Sequence, residues 1–263
     1  MGVLNVTPDS FSDGGQHFDV QAALARAREM VGDGARIVDV GGESTRPGAE
    51  PVSEQQELDR VIPVIERLAA EVDCILSIDT MKPAVMNAAC EAGAQIINDV
   101  SALRAPGALE VARRQGAAIC LMHMQGEPRT MQRAPHYQDV VSEVFGWLEN
   151  RAGACAEAGI EPQSILIDPG FGFGKTLDHN LELLAHLDQL TTGTWPVLVG
   201  LSRKSLFKSL LGLDVNQRVN ASVAAASLAV SGGAAIVRAH DVRPTVEAIA
   251  VAAAVRKKRG VGH

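Results

Sequence analysis

No apolar stretch in this chain is long enough to cross a bilayer, which takes about 20 consecutive apolar residues in a helix. The opening Met1-Gly-Val-Leu-Asn5 has no basic region running into an apolar one, so no signal peptide is read there. Paired cysteine motifs are missing as well. Cys74, Cys90, Cys120 and Cys155 are scattered without a C-x-x-C, and they read as reduced thiols, mostly core, in a cytoplasmic protein. Basic charge is short, with 24 Lys and Arg against 31 Asp and Glu and a net charge of −7. That balance argues against a nucleic-acid surface and leaves room only for a local basic pocket. What remains is a chain of 263 residues, 46% hydrophobic and 21% charged, able to bury one large core with no membrane span.

A repeated device fills that length. Eight short runs rich in Val, Ile and Leu each end on a polar residue or loop: Leu4-Asn5, Val38-Asp39, Ile78-Asp79, Ile97-Asn98, Met122-His123, Ile167-Asp168, Val199-Gly200 and Val237-Arg238. A helix-length segment follows each. Strands buried on both faces read as unbroken apolar runs, and their alternation with helices implies a parallel sheet. Eight such units in a chain near the usual ~250 residues predict a single α/β domain over 1–263, a (β/α)8 TIM barrel. Active sites of that fold sit at the C-terminal strand ends, so the polar terminators are expected to share one mouth.

The organising stretch is Ile165-Leu-Ile-Asp-Pro-Gly-Phe-Gly-Phe-Gly-Lys175, a strand that stops on a carboxylate. Pro169 cannot continue the ladder, and Gly170, Gly172 and Gly174 let backbone pass close to a flat ligand. Phe171 and Phe173 are expected to put rings beside it.

Other candidates follow from chemistry at the expected mouth. Arg46, next to Ser44 and Thr45, offers a rigid fork of donors suited to phosphate. Asp79 and Asn98 end successive strands and would be costly to bury without partners, so they must meet solvent, each other or a ligand. His123 has no second histidine at ligand spacing and reads as structural rather than metal-binding. Lys204 is a point cation beside Ser205, and a Schiff base at that amine stays open. Ser53-x-x-Gln56 reads as a capping box opening a helix from about Ser53 to Glu71. Further helices are expected near Val20–Val31, Tyr137–Ala158, Lys204–Gly212, Asn216–Ser231 and Pro244–Lys257.

Two loops, Asn5-Val-Thr-Pro-Asp-Ser-Phe-Ser-Asp-Gly-Gly15 and Asp39-Val-Gly-Gly-Glu-Ser-Thr-Arg-Pro-Gly48, closely resemble the signature loops of the dihydropteroate synthase family. The likeness continues in order through Ser77–Thr80, Ile96–Asp99, Leu121–Gly126, Leu166–Lys175, Ser202–Ser205 and Arg238–Asp241, essentially the whole chain. It implies condensation of 6-hydroxymethyl-7,8-dihydropterin diphosphate with 4-aminobenzoate, an SN1-like C–O cleavage that releases pyrophosphate. Asp79, Asn98, Met122, Asp168, Phe173, Gly200, Lys204 and Arg238 would then hold the pterin. Asn5, Thr45, Arg46, Arg238 and His240 would hold the diphosphate, with Mg2+ on Asn5. Phe11, Thr45, Pro47, Phe173, Lys204 and Ser205 would bound the 4-aminobenzoate pocket, which looks open to sulfonamides. Asp13, Lys204, Arg238 and His240 are the expected catalytic residues, Asp13 as the negative partner of a carbocation.

A homodimer is inferred from the resemblance alone. Only four residues precede Asn5, where family members usually carry a hairpin covering the bottom of the barrel, so a barrel lacking most of that hairpin is expected. The alternatives are a methyltetrahydrofolate-binding methyltransferase, which needs no diphosphate cluster, a Schiff-base aldolase acting through Lys204, and a non-catalytic pterin-binding module.

Overall fold

The computed structural model describes residues 1–7, 16–44, 51–127 and 130–260. Eight strands alternate with helices. They are β1 (Gly2–Asn5), β2 (Ile37–Gly41), β3 (Ile75–Asp79), β4 (Ile96–Asp99), β5 (Ala118–Met122), β6 (Ile165–Asp168), β7 (Leu198–Val199) and β8 (Ile236–Val237). The first six form one parallel sheet in sequence order, and β7 pairs with β8. Single parallel bridges at Ile167–Val197 and Gly2–Ala239 join the two sheets, so the barrel closes. Across the second seam Val3 N–H donates to Ala239 O at 3.1 Å and Ala239 N–H to Met1 O at 2.9 Å. All eight apolar runs read from the sequence are strands of this barrel.

The helices are α1 (Gln16–Gly32), α2 (Glu54–Glu71), α3 (Pro83–Glu91), α4 (Ala108–Gln115), α5 (Val140–Glu157), α6 (Leu177–Ala185), α7 (Leu187–Thr191), α8 (Leu206–Leu211), α9 (Val219–Ser231) and α10 (Val242–Lys258). The capping box forms as read: Gln56 N–H donates to Ser53 Oγ, and Ser53 N–H to Gln56 Oε1. α5 starts three residues later than expected because Asp139 caps it, accepting from the amides of Val141 and Ser142 at 3.1 Å. Conversely, α10 begins before Pro244. Within a first turn no amide partner is lost at a proline, so the ring is tolerated there.

Side chains alternate along each strand, and although both faces are buried, membership of the main apolar core follows that alternation. Leu4, Val38, Val40, Ile78, Ile97, Ile119, Leu121, Ile167 and Val199 belong to the main apolar core, packed with residues of the helices. Their neighbours Asn5, Asp39, Asp79, Asn98, Cys120 and Asp168 do not, and by alternation face the barrel interior. Phe171 departs from expectation: it is 1% exposed and part of the main core, so it fastens the turn to the scaffold instead of lining a ligand. Phe173 alone joins a second cluster, with Val100, Met122, Met124, Met131 and the partly buried Met81.

No helix among the described residues is long and apolar enough to cross a membrane.

Candidate active site

The strand register explains why distant residues meet. Asn5 pairs with Gly41, Gly41 with Asp79, and Asp79 with Asn98, so four neighbouring strands end at one level. A Cβ added to Gly41 would lie 3.8 Å from both Asn5 Oδ1 and Asp79 Oδ2. The absent side chain keeps the floor open between amide and acid.

One level down, Asp39 is fully buried and gathers the charges above it. Arg238 Nε donates to Asp39 Oδ2 at 2.6 Å, and Arg238 also donates to Asp79 Oδ2 at 2.7 Å. Asn98 Nδ2 donates to the same Asp39 oxygen at 3.0 Å. Of the two groups flagged in the sequence, the acid Asp79 meets Arg238, and the amide Asn98 meets Asp39, a carboxylate that the sequence reading did not weigh as a site residue. Asp39 Oδ1 stays buried without a hydrogen-bond partner. Burial raises the Asp79 carboxyl; Arg238 opposes this, and the charges of Asp39, Asp99 and Glu57 add to the rise. Burial also works against the Arg238 guanidinium, but Asp39 and Asp79 outweigh it and hold the charge in place.

The other half of the mouth is built by the turn after β6. Gly170 has φ +67°, and a Cβ there would fall 2.0 Å from His123 O. Gly174, at φ +62°, would place one 2.5 Å from Gln125 O. Only glycine lets this turn press so closely on the loop after β5. The approach leaves Asp168 buried at the end of β6, its Oδ1 accepting from Gly170 N–H at 2.7 Å. Burial raises the Asp168 carboxyl, while Gly170, Lys204, Lys175 and Arg238 pull it back.

Lys204 sits over the Phe173 ring, Nζ 4.1 Å from its centroid. Burial lowers its ammonium to about 8, with Asp168 and Asp79 resisting and Arg238 adding to the fall. The backbone that delivers it bends through a left-handed Arg203, φ +58°. Arg203 is fixed by a bidentate pair with Asp241 and by its amide on Ser222 Oγ at 2.9 Å. Ser205 is exposed at the start of α8. Gly200 has open space where a side chain would stand, so a ligand can lie against its backbone. His240 is held by Ser202, whose Oγ lies 3.1 Å from both the His240 amide nitrogen and its ring Nδ1.

His123 is scaffold, as its isolation in the sequence implied. Its ring is buried, edge-on to Trp147 at 5.2 Å, with Nδ1 3.0 Å from Lys175 Nζ. Burial and the Lys175 charge drive its pKa down to about 3, so it is neutral and accepts at Nδ1. Among the described residues no group of three His, Cys, Asp or Glu could hold a metal ion. Phe11, Asp13, Thr45, Arg46 and Pro47 lie outside the described residues.

Two residues escaped the sequence reading. Asp39 carried the same signal as Asp79, a carboxylate closing an apolar strand, but its role depends on Arg238 arriving from the far end of the chain. Lys175 was visible as the charge closing the glycine turn, and nothing local marked it as buried.

The model for pterin binding enzymes matches residues 1–240. The dihydropteroate synthase of Escherichia coli (strain K12) is 51% identical over 251 residues, covering 95% of this chain and 89% of that one. A crystal structure of the Yersinia pestis dihydropteroate synthase with a sulfonamide drug superimposes with a TM-score of 0.92 at 52% identity, covering 98% of this chain and 94% of that one. The Xanthomonas albilineans dihydropteroate synthase with 4-aminobenzoic acid superimposes at 0.91 and 52% identity, covering 97% and 92%.

Proposed function

The chain belongs to the dihydropteroate synthase family of pterin-binding transferases, and from that premise we propose how its own residues join 6-hydroxymethyl-7,8-dihydropterin diphosphate to 4-aminobenzoate. One observation carries the reading: Asp79, Asn98, Asp168, Lys204 and Arg238 converge on a single mouth beside an apolar slot of Met122 and Phe173.

The pterin lies in that slot, ring faces against the thioether and the phenyl group. Asp168 accepts from the 2-amino edge, Asn98 and Asp79 complete the polar rim, and Lys204 donates to the carbonyl or a ring nitrogen. Arg238 holds its charge on Asp39 and Asp79 and, with His240, Arg46 and Thr45, faces the diphosphate.

The amine of 4-aminobenzoate is a neutral aniline at pH 7, so no strong general base is needed. The difficult step is departure of pyrophosphate from the methylene carbon. Cationic charge left there spreads into the dihydropterin ring, with Asp13 as its negative partner, and the aniline nitrogen then attacks. Phe11, Pro47, Phe173, Lys204 and Ser205 bound the second substrate, with Thr45 shared between the two sites.

Asn5 suits Mg2+. It offers one neutral oxygen at the mouth, with no carboxylate cage among the described residues, and Mg2+ leans on substrate phosphate and keeps its water. Bound there, the ion supplies charge neutralisation to the departing diphosphate.

The protein acts in the cytoplasm as a homodimer in this reading. Its four cysteines are free thiols, and Leu228 on α9 with Val251 and Val255 on α10 are exposed apolar residues that a second copy would cover.

Purified protein incubated with both substrates and Mg2+ should release pyrophosphate and dihydropteroate in equal amounts. Tight pterin binding without pyrophosphate would make it a non-catalytic binding module.

A further inference from the structure

Lys175 closes the glycine turn after β6, yet only 3% of it is exposed. Lysine is almost never buried unless paired, and among the described residues no carboxylate stands within ion-pair distance of it. Its neighbours are backbone carbonyls: Nζ lies 3.0 Å from Gly170 O, 3.0 Å from Phe173 O and 3.4 Å from His123 O. His123 Nδ1, 3.0 Å away, is the fourth acceptor. An ammonium has three protons to give, and all of them point into this cage.

The cage has a geometric cause. Gly170 presses on the carbonyl of His123 so closely that a Cβ would fall 2.0 Å from that oxygen. Backbone amides fasten part of this contact, His123 N–H donating to Asp168 O at 2.9 Å and Phe173 N–H to Gly170 O at 3.1 Å. The buried cation adds a second donor to Gly170 O and reaches the carbonyls of Phe173 and His123 as well.

The rest of the turn is fastened by other groups. Asn180 Oδ1 accepts from Gly172 N–H at 2.7 Å, and Tyr137 Oη donates to Gly174 O at 2.9 Å. Lys175 therefore governs two points in particular, Gly170 and Phe173. One follows Asp168 by two residues and donates to its carboxylate, and the other carries the ring under Lys204.

We propose that Lys175 is a positioning residue for the pterin subsite: its ammonium ties the turn after β6 to the loop after β5 and so sets the spacing between the Asp168 carboxylate and the Phe173 ring. This rests on the reading above, in which those two groups contact the pterin. Lys175 itself touches no substrate. Its neutral neighbour His123 takes part only as an acceptor. Burial lowers the Lys175 ammonium to about 7, Asp168 opposing and Lys204 assisting, which is consistent with a cage of neutral oxygens in place of a salt bridge.

The test compares Lys175→Met with Tyr137→Phe, which releases the same turn at Gly174 only. Affinity for 6-hydroxymethyl-7,8-dihydropterin diphosphate is measured directly, alongside both KM values and thermal unfolding. Lys175→Met is expected to weaken pterin binding by about 10- to 100-fold, the scale set by small misplacements of contact groups, with a clearly smaller rise in KM for 4-aminobenzoate, which shares only the Phe173 ring of the two groups affected. Tyr137→Phe is expected to lower the unfolding temperature and leave pterin affinity as it was. If Lys175→Met does not fold, Lys175→Gln, which keeps two amide donors, is measured in its place, with a smaller loss of pterin affinity expected, still larger than the change in KM for 4-aminobenzoate.

A folded variant that binds the pterin diphosphate like the wild type overturns the proposal. So does a parallel loss of both substrates in step with stability, which would make Lys175 only a fold support. Asp168→Asn separates this from the underlying reading: if that variant retains pterin affinity, the role of Asp168 falls, whatever Lys175 does.

Discussion

Arg238 on the last strand end and Asp39 on the second strand are 199 residues apart in sequence and 2.6 Å apart across the barrel, Nε to Oδ2. The pair explains how an acidic protein keeps a guanidinium at the centre of its mouth. Asp39 is fully buried, Asp79 takes a second nitrogen of the same fork, and Asn98 leans on the oxygen that Arg238 already uses. Four side chains set one another's orientation before any ligand arrives.

Asp39→Ala is expected to destabilise the protein by about 3 kcal/mol, because removing one member of a buried pair strands the charge of the other. Asp79 still serves Arg238, which keeps the loss at the low end. Denaturant unfolding reads the stability, and KM for the pterin diphosphate should rise with it. A variant as stable as the wild type would mean that Asp79 alone suffices.

Asp168→Asn keeps the shape and removes the charge. Each hydrogen bond to a charged group is worth ~1.5–3 kcal/mol, so kcat/KM for the pterin diphosphate should fall about 100-fold or more. KM for 4-aminobenzoate should barely move. Equal effects on both substrates would place Asp168 elsewhere in the chemistry.

Lys204 predicts a basic limb in the pH profile. Its ammonium, lowered by burial to about 8, is present below that pH and lost as pH rises through it. Since kcat/KM reports the free enzyme, kcat/KM for the pterin diphosphate should decline above about pH 8, and Lys204→Arg should move that limb out of range. An unchanged limb in the arginine variant would assign it to another group.

His123 should not titrate near its ordinary 6.5, since burial and Lys175 hold the folded value near 3. Between those values the unfolded chain binds a proton that the folded one refuses, so this group lowers stability as pH falls from about 6.5 towards 3. Histidine NMR resonances followed from pH 8 to 4 check it: one ring should stay neutral throughout.

Asp13→Ala tests the carbocation partner read from the first loop. Removing a charge aimed at a developing cation is expected to lower kcat by about 100-fold or more while leaving pterin affinity nearly unchanged. Pre-steady-state release of pyrophosphate is the measurement, and full turnover would remove Asp13 from the chemistry.

The sequence by itself determined the barrel and the position of its mouth. Short apolar runs that do not alternate, each followed by a helix-length segment, read as strands covered on both faces, and most stopped on a polar residue that is costly to bury without a partner. Asp79, Asn98, Asp168 and Arg238 were legible for that reason, as terminators, and Lys204 as a cation in the segment after the seventh strand. The tertiary structure decided who partners whom. Asp39 and Asp79 look alike along the chain, and only the register of β2 and β3 beneath Arg238 makes one a buried anchor and the other a rim group. Phe171 and Phe173 look alike too, but one is turned into the core and the other into the methionine cluster by the left-handed glycines around them. Lys175 reads as a solvated charge until two loops meet over it. Burial and pairing are properties of what arrives from elsewhere in the chain, and short-range pattern cannot carry that information.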